Sequence, residues 1–199
     1  MLNHGSNDEP PDQATTLAGS AGLAALATSA DQAQDTRLKV YLSTGLGFNK
    51  WGKTYMDQVL VPKLLEAGMD PINPWYLVNS EEKERVFSMP TGPERDLAEK
   101  ALRTKVAASN RIGIDMCHVL IAVLDGLNLN PGTIAELSYA VGKGKVVFAW
   151  RANTLEFADE KAPLNLQVEY FIEHSGGQMV TDLDELIALA QKFRHQYLG

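Results

Sequence analysis

An open parallel α/β sheet with helices on both faces is the fold class that this 199-residue sequence predicts. Three observations point there. The run His118-Val119-Leu120-Ile121-Ala122-Val123-Leu124 is continuously apolar after its first residue, which suits a central parallel strand covered on both sides. Strand-like runs alternate along the chain with segments whose apolar residues recur every three or four positions, the mark of parallel strands joined by right-handed helical crossovers. Glycine and polar residues follow the strand-like runs, where the loops of such a sheet lie. With 45% hydrophobic and 22% charged residues the chain is long enough for one well-buried core, and a second full domain is not expected.

The elements follow in order. Leu38-Lys39-Val40-Tyr41-Leu42-Ser43 reads as a buried first strand that delivers a loop, Thr44-Gly45-Leu46-Gly47. A helix is expected over 51–67 from Tyr55, Met56, Val59, Leu60, Leu64 and Leu65, stopped by Gly68 and weakened locally by Pro62. Residues 69–75 read as a short strand entering an Asn73-Pro74-Trp75 turn, because a residue before proline favours extended geometry. The stretch 76–92 reads as irregular, with a short helix near 81–87. A long helix opens at Thr91-Gly92-Pro93-Glu94 and continues to about Asn110, with proline in the first turn, where it is tolerated. After the central strand come Asp125-Gly126, an Asn-rich loop, a helix over 134–141 ended by Gly142, and a buried strand over 145–150. Gln178-Met179-Val180 reads as a last strand, and Thr181-Asp182-Leu183-Asp184-Glu185 caps a final helix through Phe193.

Residues 1–36 read differently. They contain no aromatic residue and are rich in Ala, Ser, Thr, Gln, Asp and Gly, a composition expected to stay disordered because it buries too little apolar surface to offset its ordering entropy. No basic segment precedes the mildly apolar stretch 17–30 and no arginine supports a presequence, so the tail reads as an untargeted extension and 37–199 as the folded domain. The tail holds five acidic and no basic residues, so most of the chain's net charge of −7 lies there and the folded part carries about −2. That balance argues against nucleic acid and anionic membrane as partners, and no apolar run is long enough to span a bilayer. The single cysteine, Cys117, rules out an intrachain disulfide and a multi-cysteine zinc site and fits a reducing, cytoplasmic setting.

In an open parallel sheet the ligand crevice lies outside the carboxyl ends of the strands. Asp125 is at the tip of the central strand, Gly45 is in the first loop, and Trp75 is in the turn after the second strand, so all three are candidate site residues. Glu136 lies on the following helix with Gly132 and Ala140 one turn to either side, so small residues flank a carboxylate on one helical face and allow a substrate to approach. Asn130 is a candidate helix cap before Pro131. Other motifs fail on context. Gly45-Leu46-Gly47 lacks the third glycine of a dinucleotide fingerprint, and Gly142-Lys143-Gly144-Lys145 follows a helix instead of preceding one. The four histidines are dispersed, Cys117 and His118 point to opposite strand faces, and no metal site is expected. No serine sits in a GxSxG elbow, and the methionines and aromatic residues read as core.

With these residues assembled, the chain resembles the nucleoside 2-deoxyribosyltransferase family. The likeness rests on Val40-Tyr41-Leu42, on Val123-Leu124-Asp125-Gly126, on Gly132-Thr133-Ile134-Ala135-Glu136-Leu137-Ser138-Tyr139-Ala140, and on Leu164-Asn165-Leu166-Gln167-Val168-Glu169-Tyr170-Phe171-Ile172 followed by Ser175-Gly176-Gly177. The resemblance implies a single flavodoxin- or Rossmann-like domain and a cofactor-free reaction on 2′-deoxynucleosides and free nucleobases in nucleotide salvage. It also implies a dimer-based homo-oligomer, a tetramer or hexamer, whose subunits share sites. By the same resemblance Glu136 is the nucleophile that attacks C1′ as the base departs, and a second base then attacks the glycosyl ester with overall retention. Tyr41 holds that carboxylate, Asn110 lies near the base, Asn165 contacts the sugar across a subunit boundary, and Asp125 serves sugar hydroxyls or loop structure. Gly45, Trp75, Asn130 and Gly132 complete the expected binding set.

One position departs from the family. Many relatives carry an acid six residues before the nucleophile, where this chain has Asn130. An amide donates a hydrogen bond but delivers no proton, so either another acid or water supplies the proton, or the protein prefers a different base or has lower activity. Two alternatives stay open at this point: an N-glycosidase of the same fold acting on 2′-deoxynucleosides or their 5′-monophosphates, and a non-catalytic nucleoside-binding protein. The first loop, with Lys50 but no arginine, favours the uncharged substrate over a monophosphate.

Overall fold

The computed structural model describes residues 37–126, 129–152 and 164–199. The disorder expected of 1–36 therefore lies outside the described residues. Five parallel strands form the sheet: β1 (Leu38–Thr44), β2 (Met69–Ile72), β3 (Val119–Val123), β4 (Val146–Trp150) and β5 (Gln178–Val180), in the order β2-β1-β3-β4-β5. This is the flavodoxin-like order, in which chain direction across the sheet reverses between β1 and β3 and opens a crevice at their carboxyl ends.

Strand alternation divides β1 between two cores. Leu38, Val40 and Leu42 pack with Met56, Leu60, Leu64, Leu186 and Ala190 on one face. Tyr41 packs with Leu120, Ala122, Leu137, Val168 and Ile172 on the other. The first face is covered by the helical stretch after β1 and by α7 (Leu183–Leu198). The second is covered by α4 (Pro93–Met116), α5 (Pro131–Gly142) and α6 (Leu166–His174).

Several boundaries differ from the sequence expectation, each for a local reason. The stretch expected as one helix over 51–67 is α1 (Lys50–Tyr55), a π-helical segment (Met56–Leu60) and α2 (Val61–Glu66). The Val61 N–H reaches back to the Met56 carbonyl, and this wider turn carries the chain into Pro62, which has no N–H to give. Asn49 caps α1 through the Gly52 N–H at 2.7 Å, and Gly68, at φ +80, ends the stretch. After β2 the turn is a 3-10 segment (Pro74–Tyr76), and α3 (Ser80–Phe87) confirms the short helix, capped by Asn79.

The long helix α4 continues past Asn110 to Met116. Arg111 and Asp115 pair across one turn at 2.8 Å, and Gly113 is tolerated within the helix because it lets another element approach closely. A Cβ there would lie 3.0 Å from the Tyr41 ring and 3.1 Å from Ile72. Helix α6 falls in a segment to which the sequence pattern assigned no element; Asn165 caps it through the Gln167 N–H at 3.0 Å. The last helix, capped by Asp182, runs five residues beyond Phe193.

Candidate active site

Three elements converge on one carboxylate. Residues two apart on a strand face the same side, so Tyr41 and Ser43 of β1 both point toward α5, which follows β3. The Tyr41 hydroxyl donates to Glu136 Oε1 at 2.9 Å and the Ser43 hydroxyl to Oε2 at 2.6 Å. From α4, Asn110 Nδ2 donates to Oε1 at 3.1 Å. Tyr41 and Ser43 are fully buried. Asn110 Oδ1 is a buried acceptor with no hydrogen-bond partner among the described residues.

Burial pushes the Tyr41 phenol far above the ordinary tyrosine value of 10.0, and the adjoining Glu136 carboxylate adds to the rise. Tyr41 thus stays a neutral donor at neutral pH. An unfolded tyrosine ionises near pH 10 and folded Tyr41 only at higher pH, so the stabilisation it contributes is complete below that pH and declines above it. Between about pH 10, where the unfolded tyrosine is half ionised, and about pH 11, Tyr41 lowers the unfolding free energy by about 1 kcal/mol. Denaturant titrations of wild type and Tyr41→Phe across that range are expected to differ by this amount.

Glu136 lies in the wall of a pocket of about 340 Å³ whose other walls are largely apolar, from Phe48, Trp75, Phe87, Leu102 and Val106. That volume suits a small heterocycle with its sugar. Trp75 is fixed by its indole N–H to the Thr44 carbonyl at 3.2 Å and by edge-to-face contact with Phe48 at 4.7 Å. Gly47 makes this placement possible, since a Cβ there would lie 2.3 Å from the Trp75 ring.

The structure brings Tyr41, Asn110, Asn130, Gly132, Trp75 and Glu136 together, with Tyr41 behind the carboxylate. Asn130 caps α5, its Oδ1 accepting from the Thr133 N–H at 3.0 Å. Asn130 also lines an adjoining cavity of about 440 Å³, and Gly45 and Asp125 line that cavity instead of the Glu136 pocket. Asn165 is elsewhere, as the cap of α6. Sequence reasoning missed Ser43, although its spacing from Tyr41 was a usable signal. It also missed two basic wall residues: Lys83, which donates to the Trp75 carbonyl at 3.0 Å, and Arg103, which pairs with Glu99 at 3.2 Å. The expectation that the aromatic residues form the core fails at the pocket mouth, where Phe48 is 73% and Phe87 56% exposed.

Cys117 is buried, with its thiol pushed up by burial, and donates to the Ile114 carbonyl at 3.2 Å. Among the described residues no group of three or more His, Cys, Asp or Glu side chains is arranged to hold a metal ion, and no helix is long and apolar enough to cross a membrane.

Comparison with known proteins places this geometry. Curated relatives include "Protein translocase subunit SecA" of Helicobacter acinonychis, 30% identical over 136 residues, which is 63% of this chain and 15% of that protein. The chain thus spans about 15% of the length of these relatives. Similar solved structures include a conserved protein from Enterococcus faecalis, with TM-score 0.58, 19% identity and coverage of 79% of this chain and 99% of the other. Another is 2-desoxiribosyltransferase from Leishmania mexicana, with TM-score 0.50, 19% identity and coverage of 78% and 97%. Both share the fold. The sequence model of the nucleoside 2-deoxyribosyltransferases matches residues 40–176, from the strand that carries Tyr41 and Ser43 through Glu136 to the end of α6. A match over that span, enclosing the whole network around one carboxylate, means that the chain belongs to the nucleoside 2-deoxyribosyltransferase family.

Proposed function

We propose that the protein exchanges bases between 2′-deoxynucleosides, with Glu136 as nucleophile. The observation that carries this reading is the Glu136 carboxylate, held by three donors in the wall of an apolar pocket of nucleoside size. Such a carboxylate attacks C1′ as the glycosidic bond breaks, and a second base reverses the step, so that two inversions retain the anomer. The apolar walls take the base. Asn110, whose carbonyl oxygen has no partner among the described residues, is suited to a base N–H donor.

Residues 37–199 are the catalytic unit in this reading, and 1–36 are an extension outside it. A cytoplasmic salvage role fits a single, buried cysteine. The assembly is a homo-oligomer. Ile112 and Met116 on α4 and Leu166 and Tyr170 on α6 are exposed apolar residues on helices that cover the same side of the sheet, which suits contact with a second subunit. Asn165, at the start of α6, would then serve a neighbour's sugar.

Incubating a 2′-deoxynucleoside with a different free base and following both products by chromatography tests the proposal. A new nucleoside appearing in step with the released base is expected. Free base without new nucleoside would make the protein an N-glycosidase, and no reaction with any donor would make it a binding protein.

A further inference from the structure

The donors on Glu136 are unevenly distributed between its two oxygens. A carboxylate offers about four lone-pair positions, two on each oxygen. Oε1 accepts from Tyr41 and Asn110, whereas Oε2 accepts from Ser43 alone among the described residues. One position is left, and it is on Oε2. Ser43 is fully buried in an apolar strand, and the 2.6 Å bond to Oε2 is the side-chain hydrogen bond it makes.

We propose that Oε2 is the atom that bonds to C1′, and that Ser43 is a positioning residue whose hydroxyl controls how fast the resulting glycosyl ester breaks down. The inference rests on Glu136 being the nucleophile. In the first half-reaction the Oε2–C1′ bond forms, the C1′–N bond breaks with its electron pair going to the base nitrogen, and that nitrogen takes a proton from solvent. In the second, the acceptor nitrogen bonds to C1′, the electron pair of the Oε2–C1′ bond returns to Oε2, and the acceptor's proton goes back to solvent.

The two steps depend on Ser43 differently. At an oxocarbenium-like transition state the carboxylate keeps most of its charge. A hydroxyl donating to Oε2 therefore stabilises the free carboxylate and the transition state about equally and leaves ester formation nearly unchanged. An alkyl ester oxygen is a poor acceptor, so in the intermediate that bond is largely lost. Ester breakdown regains it and is accelerated. Tyr41 and Asn110 act otherwise, because Oε1 becomes the ester carbonyl and can still accept from both.

Rapid-quench kinetics on the full chain test this, with base release before acceptor is added read separately from acceptor-dependent turnover. Ser43→Ala is expected to keep the amplitude and rate of the first base release within a few-fold. Acceptor-dependent turnover should slow about ten- to hundredfold, the range for a charge-assisted hydrogen bond, while more enzyme accumulates as ester. Ser43→Cys, a weaker donor of similar size, should fall between the two and serves if the alanine variant folds poorly. Equal slowing of both phases, as from a loss of folded enzyme, or an unchanged acceptor step would overturn the proposal. A wild-type enzyme that exchanges bases with no ester on Glu136 would instead defeat the nucleophile assignment beneath it.

Discussion

Glu136→Ala is expected to reduce base exchange on the order of 10⁴- to 10⁶-fold, the range seen when a covalent nucleophile is removed from an enzyme that otherwise keeps its binding site. Glu136 is the one carboxylate among the described residues lining the pocket, so no neighbouring acid stands ready to replace it. The alanine variant also strands the Tyr41 and Ser43 hydroxyls, both fully buried, without their acceptor. A loss of about 1–3 kcal/mol of stability per stranded donor should accompany the loss of activity. Glu136→Gln separates the two effects: it keeps the volume and an acceptor oxygen but not the charge, so it should be nearly as inactive while unfolding closer to wild type. Exchange rates and denaturant midpoints of both variants provide the check.

Tyr41→Phe is expected to lower kcat about 10- to 100-fold while KM stays within a few-fold. The Tyr41 hydroxyl holds Oε1 at 2.9 Å; because that bond is kept in the resting carboxylate, the transition state and the ester alike, the expected loss comes from the freedom the carboxylate gains to leave its reactive orientation, not from the strength of the bond. Tyr41 lies behind the carboxylate and contacts it, so its loss should disturb the orientation of Glu136 more than substrate affinity. The aromatic ring stays packed against Gly113 and the second core, which keeps the fold intact. A rise in KM with kcat unchanged would show that Tyr41 serves binding instead.

Much of the fold could be read in the sequence because the pattern and the packing agree. The continuous apolar run at 119–123 is the middle strand of the sheet, and the Asn130-Pro131 start of α5 acts as its composition suggests. The errors have identifiable causes. Helix α6 buries Val168 and Ile172 one turn apart, but the exposed Leu166 and Tyr170 blur that stripe into no clear period. The long helix is expected to end near Asn110, but it runs on through Gly113, the gap into which Tyr41 packs, a tertiary fact that local propensity does not carry.

The candidate site divides in the same way. Glu136 and Tyr41 were found through family motifs, and their contact is a 2.9 Å hydrogen bond between residues 95 positions apart. Ser43 reads only as the end of the first strand, although it lies two residues beyond Tyr41 and on the same strand face. Asp125 and Gly45 are at the carboxyl ends of strands, as the general rule for such sheets requires, but they open onto the adjoining cavity. Only the path of the loops determines which cavity a strand-tip residue serves.

The central claim is that Glu136 carries the sugar between bases. The most direct test is to incubate the enzyme with a 2′-deoxynucleoside without acceptor, quench in acid, digest and map the modified peptide by mass. The account predicts one 2-deoxyribosyl group on Glu136, lost on addition of an acceptor base as an equal amount of new nucleoside forms. Steady exchange with the sugar on another residue, or with no covalent intermediate at all, would contradict it.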